Sequence, residues 1–128
     1  MQVISAISPL QAAIRNYKSN SQRIALVPTM GNLHSGHLAL ITQAKQQADV
    51  VISSIFVNPM QFGPNEDFAT YPRTLEQDLD VLRELAVDLV FCPETTTIYP
   101  QQLQQHCKLE LGNLGEIFCG ASRPGFFT

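Results

Sequence analysis

The sequence predicts an α/β fold built on a parallel sheet. A continuously apolar run at residues 24–27 has the composition of a strand covered on both faces, and residues 50–57 are apolar enough to sit centrally in a sheet. Segments with helical apolar spacing lie between and after them, and strand, helix and strand in this succession make a βαβ unit. At 128 residues, 45% apolar and 15% charged, the chain is sized and balanced for one globular domain. No linker, internal repeat or low-complexity tract divides it.

In chain order, Ser8 and Pro9 open a first helix, with Ser as cap, Pro preorganised at the first helical position and Gln11 at capping-box spacing. Leu10, Ala13, Ile14 and Tyr17 share one face of it. The apolar strand Ile24, Ala25, Leu26, Val27 follows and is expected to end at Pro28. A second helix is expected over residues 35–48, then the strand over 50–57. The loop from Asn58 to Arg73, punctuated by Pro59, Gly63, Pro64 and Pro72, is too long for an idle connection. Thr74, Leu75, Glu76 and Gln77 form another capping-box signature, continued at helical spacing by Leu79, Leu82 and Ala86. Residues 88–91 read as a third strand, 106–111 as a short strand and 114–118 as a short helix.

Composition excludes several function classes. A formal net charge of −3 leaves no basic excess for neutralising a nucleic-acid backbone, so no nucleic-acid partner is expected. Cys92, Cys107 and Cys119 are odd in number and widely spaced, a poor disulfide framework, and read as reduced thiols. The first residues lack a basic start and a long apolar run, so neither signal peptide nor membrane span is indicated and a cytoplasmic protein is expected.

The chemistry concentrates after the first apolar strand. In open α/β sheets, ligands bind at the carboxyl ends of strands, where the next helix begins with unpaired N–H groups and partial positive charge. Thr29 to His37 occupies that junction. Gly31 and Gly36 permit close backbone approach or unusual dihedrals, as a phosphate-binding turn requires. His34 and His37, three apart, project on one side of a helical first turn. The helix end disfavours their protonation and phosphates favour it, so each can donate a hydrogen bond and offset charge on a leaving group. A single such His would more simply be a satisfied structural side chain; the pair in this setting favours a nucleotide. Neither G-x-x-x-x-G-K-[ST] nor a post-strand G-x-G-x-x-G is present, which disfavours kinase-type P-loops and ordinary NAD sites.

His34-Ser35-Gly36-His37 resembles the HxGH signature of the adenylyltransferase superfamily. The longer block from Pro28 through Thr29, Met30, Gly31, Asn32, Leu33 and on to His37 resembles the version found in pantothenate synthetases. Phe56-Val57-Asn58-Pro59-Met60-Gln61-Phe62, Glu66-Asp67, Tyr71-Pro72-Arg73 and Asp78 are similar to the same family. So is the segment 120–127, except that Phe126 stands where the family has His. The resemblance covers essentially the whole chain.

It implies a Rossmann-like, doubly wound sheet of the HxGH nucleotidyltransferase type, with residues 1–128 forming part of the amino-terminal nucleotide-binding domain. A carboxy-terminal domain and the Lys-Asp and Ser-Ser-Arg motifs that complete the family's ATP site are absent from these residues. It also implies ATP-dependent condensation of pantoate with β-alanine through pantoyl adenylate, releasing pyrophosphate and AMP, with Mg²⁺ required and a homodimer as the assembly. By the same resemblance, His37 is the catalytic proton donor and His34 its companion. Met30, Gly31, Asn32, Leu33, Ser35 and Gly36 join the histidines in holding ATP. Gln61 contacts pantoate and β-alanine, with Asn58, Pro28, Thr29 and Met30 around it.

Three charged positions keep two readings each. Asp78 is either a Mg²⁺ contact or an acidic complement to its helix dipole. Arg123 faces the anionic ligands or makes a structural ion pair, and Arg73 meets a phosphate or solvent. Two other functions stay open: an HxGH enzyme with a phosphate-bearing acceptor, which would need a basic acceptor site, and a noncatalytic ATP-binding paralogue or fragment.

Overall fold

The computed structural model describes residues 1–62, 71, 72, 74–100, 112–116 and 118–123. The strand expected over 106–111 lies outside them, as do Glu66, Asp67, Arg73, Cys107 and Phe126. Four parallel strands, β1 (Gln2–Ile4), β2 (Ile24–Thr29), β3 (Val50–Ile55) and β4 (Leu89–Phe91), lie in the order β1-β4-β3-β2. The helices are α1 (Ile7–Ser19), α2 (Ser35–Gln47), α3 (Leu75–Glu84), α4 (Thr95–Ile98) and α5 (Cys119–Ser122).

Alternation along the strands builds two cores. Val27, Val51 and Val90 point to one face, where Ile41 of α2 and Leu79 and Leu82 of α3 cover them. Val50, Ile52 and Leu89 point to the other, against Leu10, Ala13, Ile14 and Tyr17 of α1. Helices on both faces make the sheet doubly wound, as expected. The face of α1 read from its spacing is the face it buries.

Several local expectations change. The strand β1 was not expected: it is three residues long, and its backbone pairs with β4 at the sheet edge. Residues 88–91 therefore contribute the fourth strand in chain order. Helix α1 starts at Ile7 with Ala6 in the cap position and no side-chain cap, so Ser8 and Pro9 sit inside its first turn. Pro9 is tolerated there because first-turn N–H groups have no intrahelical acceptor.

Strand β2 runs through Pro28 to Thr29 instead of stopping. It is an edge strand among the described residues, where only some N–H groups serve the ladder and Pro is admissible. The same placement overturns its expected burial on both faces, and Leu26 is 64% exposed. On the α1 side, Ile24 at the start of β2 still packs into the core, whereas Leu26 further along the edge stays largely uncovered.

The second strand ends at Ile55, two residues early, and α2 ends at Gln47 with Ala48 as its cap. Leu75 is exposed at the start of α3 and Ala86 lies beyond its end at φ 52°, so neither extends its buried face. In place of a helix over 114–118 there is a 3₁₀ turn at Gly112–Glu116, after which Phe118 adopts φ 51° and α5 begins.

Candidate active site

The carboxyl ends of the strands converge on one edge, and the sequence places its unusual residues there. β2 leads through Met30 and Gly31 into α2, whose cap residue is His34. His34 Nδ1 accepts the Gly36 N–H at 3.1 Å, and His37 Nδ1 accepts the His34 N–H at 3.4 Å. The two imidazoles thus form a reciprocal capping box, with ring centroids 4.1 Å apart. With each Nδ1 used as an acceptor, the proton of each neutral ring resides on Nε2. Both rings therefore offer an Nε2–H donor.

Burial holds the His37 imidazolium below the ordinary histidine range; the adjacent His34 adds to the depression and Asp78 opposes it. Gly36 is required by this packing, since a Cβ there would lie 2.9 Å from His34 Cε1. Gly31 is required twice over. Its φ is +80°, and a Cβ would approach Asp78 Oδ2 at 3.1 Å.

The backbone of this loop is internally satisfied. Gly31 N–H donates to Thr29 Oγ1 at 3.2 Å, Asn32 N–H to Asp78 Oδ2 at 2.9 Å and Leu33 N–H to Asp78 Oδ1 at 2.8 Å. With His34 and Gly36 paired as above, only Ser35 between Gly31 and Gly36 has its N–H outside these bonds. A turn cradling phosphate with successive N–H groups is therefore not what this loop builds. Its outward donors are the Nε2–H groups and Ser35.

Beside the loop lies an open cleft of about 580 Å³. Met30, Gly31, Ile55, Phe56, Asp78 and Cys92 contribute to its walls, at the ends of β2, β3 and β4. Burial, aided by the charge of Asp78, pushes the Cys92 thiol up, away from reactivity.

The family model for pantoate-beta-alanine ligase matches residues 2–128. The chain belongs to the pantoate-beta-alanine ligase family. It is 52% identical over 128 residues to the pantothenate synthetase of Chromohalobacter salexigens and 50% identical to that of Hahella chejuensis, covering 100% of this chain and 45% of each relative. The chain thus spans less than half the length of these relatives. Among solved structures, pantothenate synthetase from Thermus thermophilus superposes with a TM-score of 0.86 at 42% identity, covering 99% of this chain and 44% of that one. The Francisella tularensis pantoate-beta-alanine ligase, complexed with beta-gamma ATP and beta-alanine, gives 0.87 at 44% identity, covering 99% and 48%.

Within this ligase fold, the other expected site residues divide. Met30 and Gly31 line the cleft, whereas His34, His37, Asn58 and Gln61 do not. Thr29 is buried, and its hydroxyl donates to Ser54 O at 2.8 Å while accepting Gly31 N–H. Pro28 pairs with Ser54 in the sheet.

Asn58 caps a 3₁₀ turn, Pro59–Gln61, through Met60 N–H to its Oδ1 at 3.1 Å. The Tyr99 hydroxyl donates to the same oxygen at 2.9 Å, which assigns the amide orientation and leaves Nδ2 as the donor side. Tyr99 escaped the sequence reading because only tertiary folding brings the end of α4 to this loop. Arg123 is half-buried just past α5, where its N–H donates to Cys119 O at 2.9 Å.

Asp78 is 4% exposed, and besides Asn32 and Leu33 it accepts the Thr74 hydroxyl at 3.0 Å. Among the described residues, no three His, Cys, Asp or Glu gather as a cation site. The described residues do not assemble a Mg²⁺ site around Asp78, whose carboxylate is engaged by three protein donors.

Proposed function

We propose that this chain forms the nucleotide-binding half of a pantothenate synthetase, joining pantoate to β-alanine at the expense of ATP. The observation carrying this reading is the pair of imidazoles locked by Nδ1 at the head of α2, which leaves both Nε2–H donors for a ligand, in a loop whose Met30 and Gly31 line the strand-end cleft. Family membership supplies the substrate class, and the Francisella ligase complex with beta-gamma ATP and beta-alanine supports it.

In the first step a pantoate carboxylate oxygen attacks the α-phosphorus of ATP, and the bond to pyrophosphate breaks. The amine of β-alanine then attacks the acyl carbon of pantoyl adenylate, AMP leaves and the amine gives up a proton. His37 and His34 serve the first step, donating from Nε2 toward phosphate oxygens as negative charge develops on pyrophosphate. His37 is assigned as the principal donor to the leaving group, by hydrogen bonding from Nε2 with its Nδ1 still held by His34 N–H. Asn58 Nδ2 and Gln61 are assigned to the pantoate and β-alanine side, Ser35 and the loop from Met30 to Gly36 to ATP, and Arg123 to an anionic group.

Mg²⁺ would accompany the nucleotide without Asp78 as ligand. A cytoplasmic homodimer with no nucleic-acid partner completes the reading. A coupled assay for AMP in an enzyme of full family length tests it: AMP should form only when pantoate and β-alanine are both present. No AMP with any combination of these substrates would overturn the synthetase assignment.

A further inference from the structure

Asp78 stands at the meeting of three segments that a reaction would need in register. Its Oδ2 accepts Asn32 N–H at 2.9 Å and the Thr74 hydroxyl at 3.0 Å, and its Oδ1 accepts Leu33 N–H at 2.8 Å. Asn32 and Leu33 belong to the turn that delivers His34, and Asn32 holds φ 51° directly after Gly31 at φ 80°. The neighbouring N–H groups that follow this turn converge on one carboxylate, and it is the protein's own. Thr74 ends the loop carrying Asn58 and Gln61. Asp78 is itself on α3, packed against the sheet through Leu79 and Leu82.

We propose that Asp78 is a positioning residue for adenylation: a buried carboxylate that clamps the histidine turn to the start of α3 and so fixes the two imidazoles at the head of α2. The choice of a charged residue follows from the geometry. Three donors converge on two oxygens, and an amide in the same place would turn an NH₂ toward at least one of them. Buried donors left facing another donor move apart, and the turn moves with them. The proposal deepens the synthetase reading, and its kinetic part rests on that reading.

The test uses an enzyme of full family length carrying Asp78→Asn. Amide hydrogen exchange should show Asn32 and Leu33 losing protection, whereas strand amides of β3 keep theirs. Pantoate-dependent pyrophosphate release should fall on the order of 100-fold in kcat, with the KM for ATP changed far less, as expected for misplaced catalytic groups. Recovery of rate with excess Mg²⁺ would make Asp78 a metal ligand and overturn the proposal. So would a lowered melting temperature with unchanged kcat, which marks a merely structural role.

Thr74→Val removes one donor and is the second variant should Asp78→Asn not fold. A smaller fall in kcat with partial loss of Asn32 protection supports the clamp, and wild-type values for both overturn it. If the unmodified enzyme releases no pyrophosphate with pantoate, the synthetase reading fails. Exchange at Asn32 and Leu33 then decides the clamp alone.

Discussion

His34 and His37 spend Nδ1 inside the loop and keep Nε2–H for a ligand, so each ring couples folding to chemistry. Replacing His37 by Ala removes one weak capping bond but an entire charge-stabilising donor. In an enzyme of family length, His37→Ala is expected to lower kcat roughly 100-fold or more while ATP affinity changes little. Equal losses in the two would assign His37 to ground-state positioning.

The depressed His37 pKa has a direction that NMR can read. Its ring should titrate at lower pH than in an unfolded peptide of the same sequence, and bound ATP should move that titration upward. An unmoved midpoint would remove His37 from phosphate contact. Because the folded state disfavours the charged ring, this contribution to stability is present above the ordinary histidine value. It is lost as pH falls through the lower, folded value.

At the scale of elements, legibility followed burial pattern. α1 and α2 were readable because an amphipathic stripe and a strand-to-helix junction are local properties, and Leu10, Ala13, Ile14 and Tyr17 do pack as their spacing implies. β1 was not readable, since three residues carry no period and the strand exists through its pairing with β4. Thr74 shows the opposite failure. Its position before α3 has the sequence of a cap and it is the cap residue, yet its side chain accepts no helix N–H; its hydroxyl instead donates to Asp78.

The packing of α3 makes its own prediction. Leu82 is fully buried between the sheet and its helix, so Leu82→Ala should destabilise the protein by about 3 kcal/mol, measured as a lowered denaturation midpoint with an unchanged slope. A loss under about 1 kcal/mol would mean that this core readjusts freely.

For the whole molecule, the chain covers 45% of its relatives' length and presents its cleft open at the sheet edge. Residues 1–128 alone are therefore expected to form no AMP from ATP, pantoate and β-alanine, whereas a polypeptide of full family length forms it. AMP production by the shorter chain would show that one wall of the cleft suffices.

The sequence by itself determined the α/β class, the strand-to-helix junction as the place for a nucleotide, and the family, because apolar periodicity and contiguous motifs are written locally. Only the tertiary structure decided how that junction is used. Gly31 and Gly36 serve the packing of Asp78 and His34, not a cradle of free N–H groups. Asp78 and Tyr99 reach Asn32, Leu33 and Asn58 across more than forty residues of chain. Bonds between such distant residues form only when the sheet brings their loops to one edge, and no local pattern encodes them.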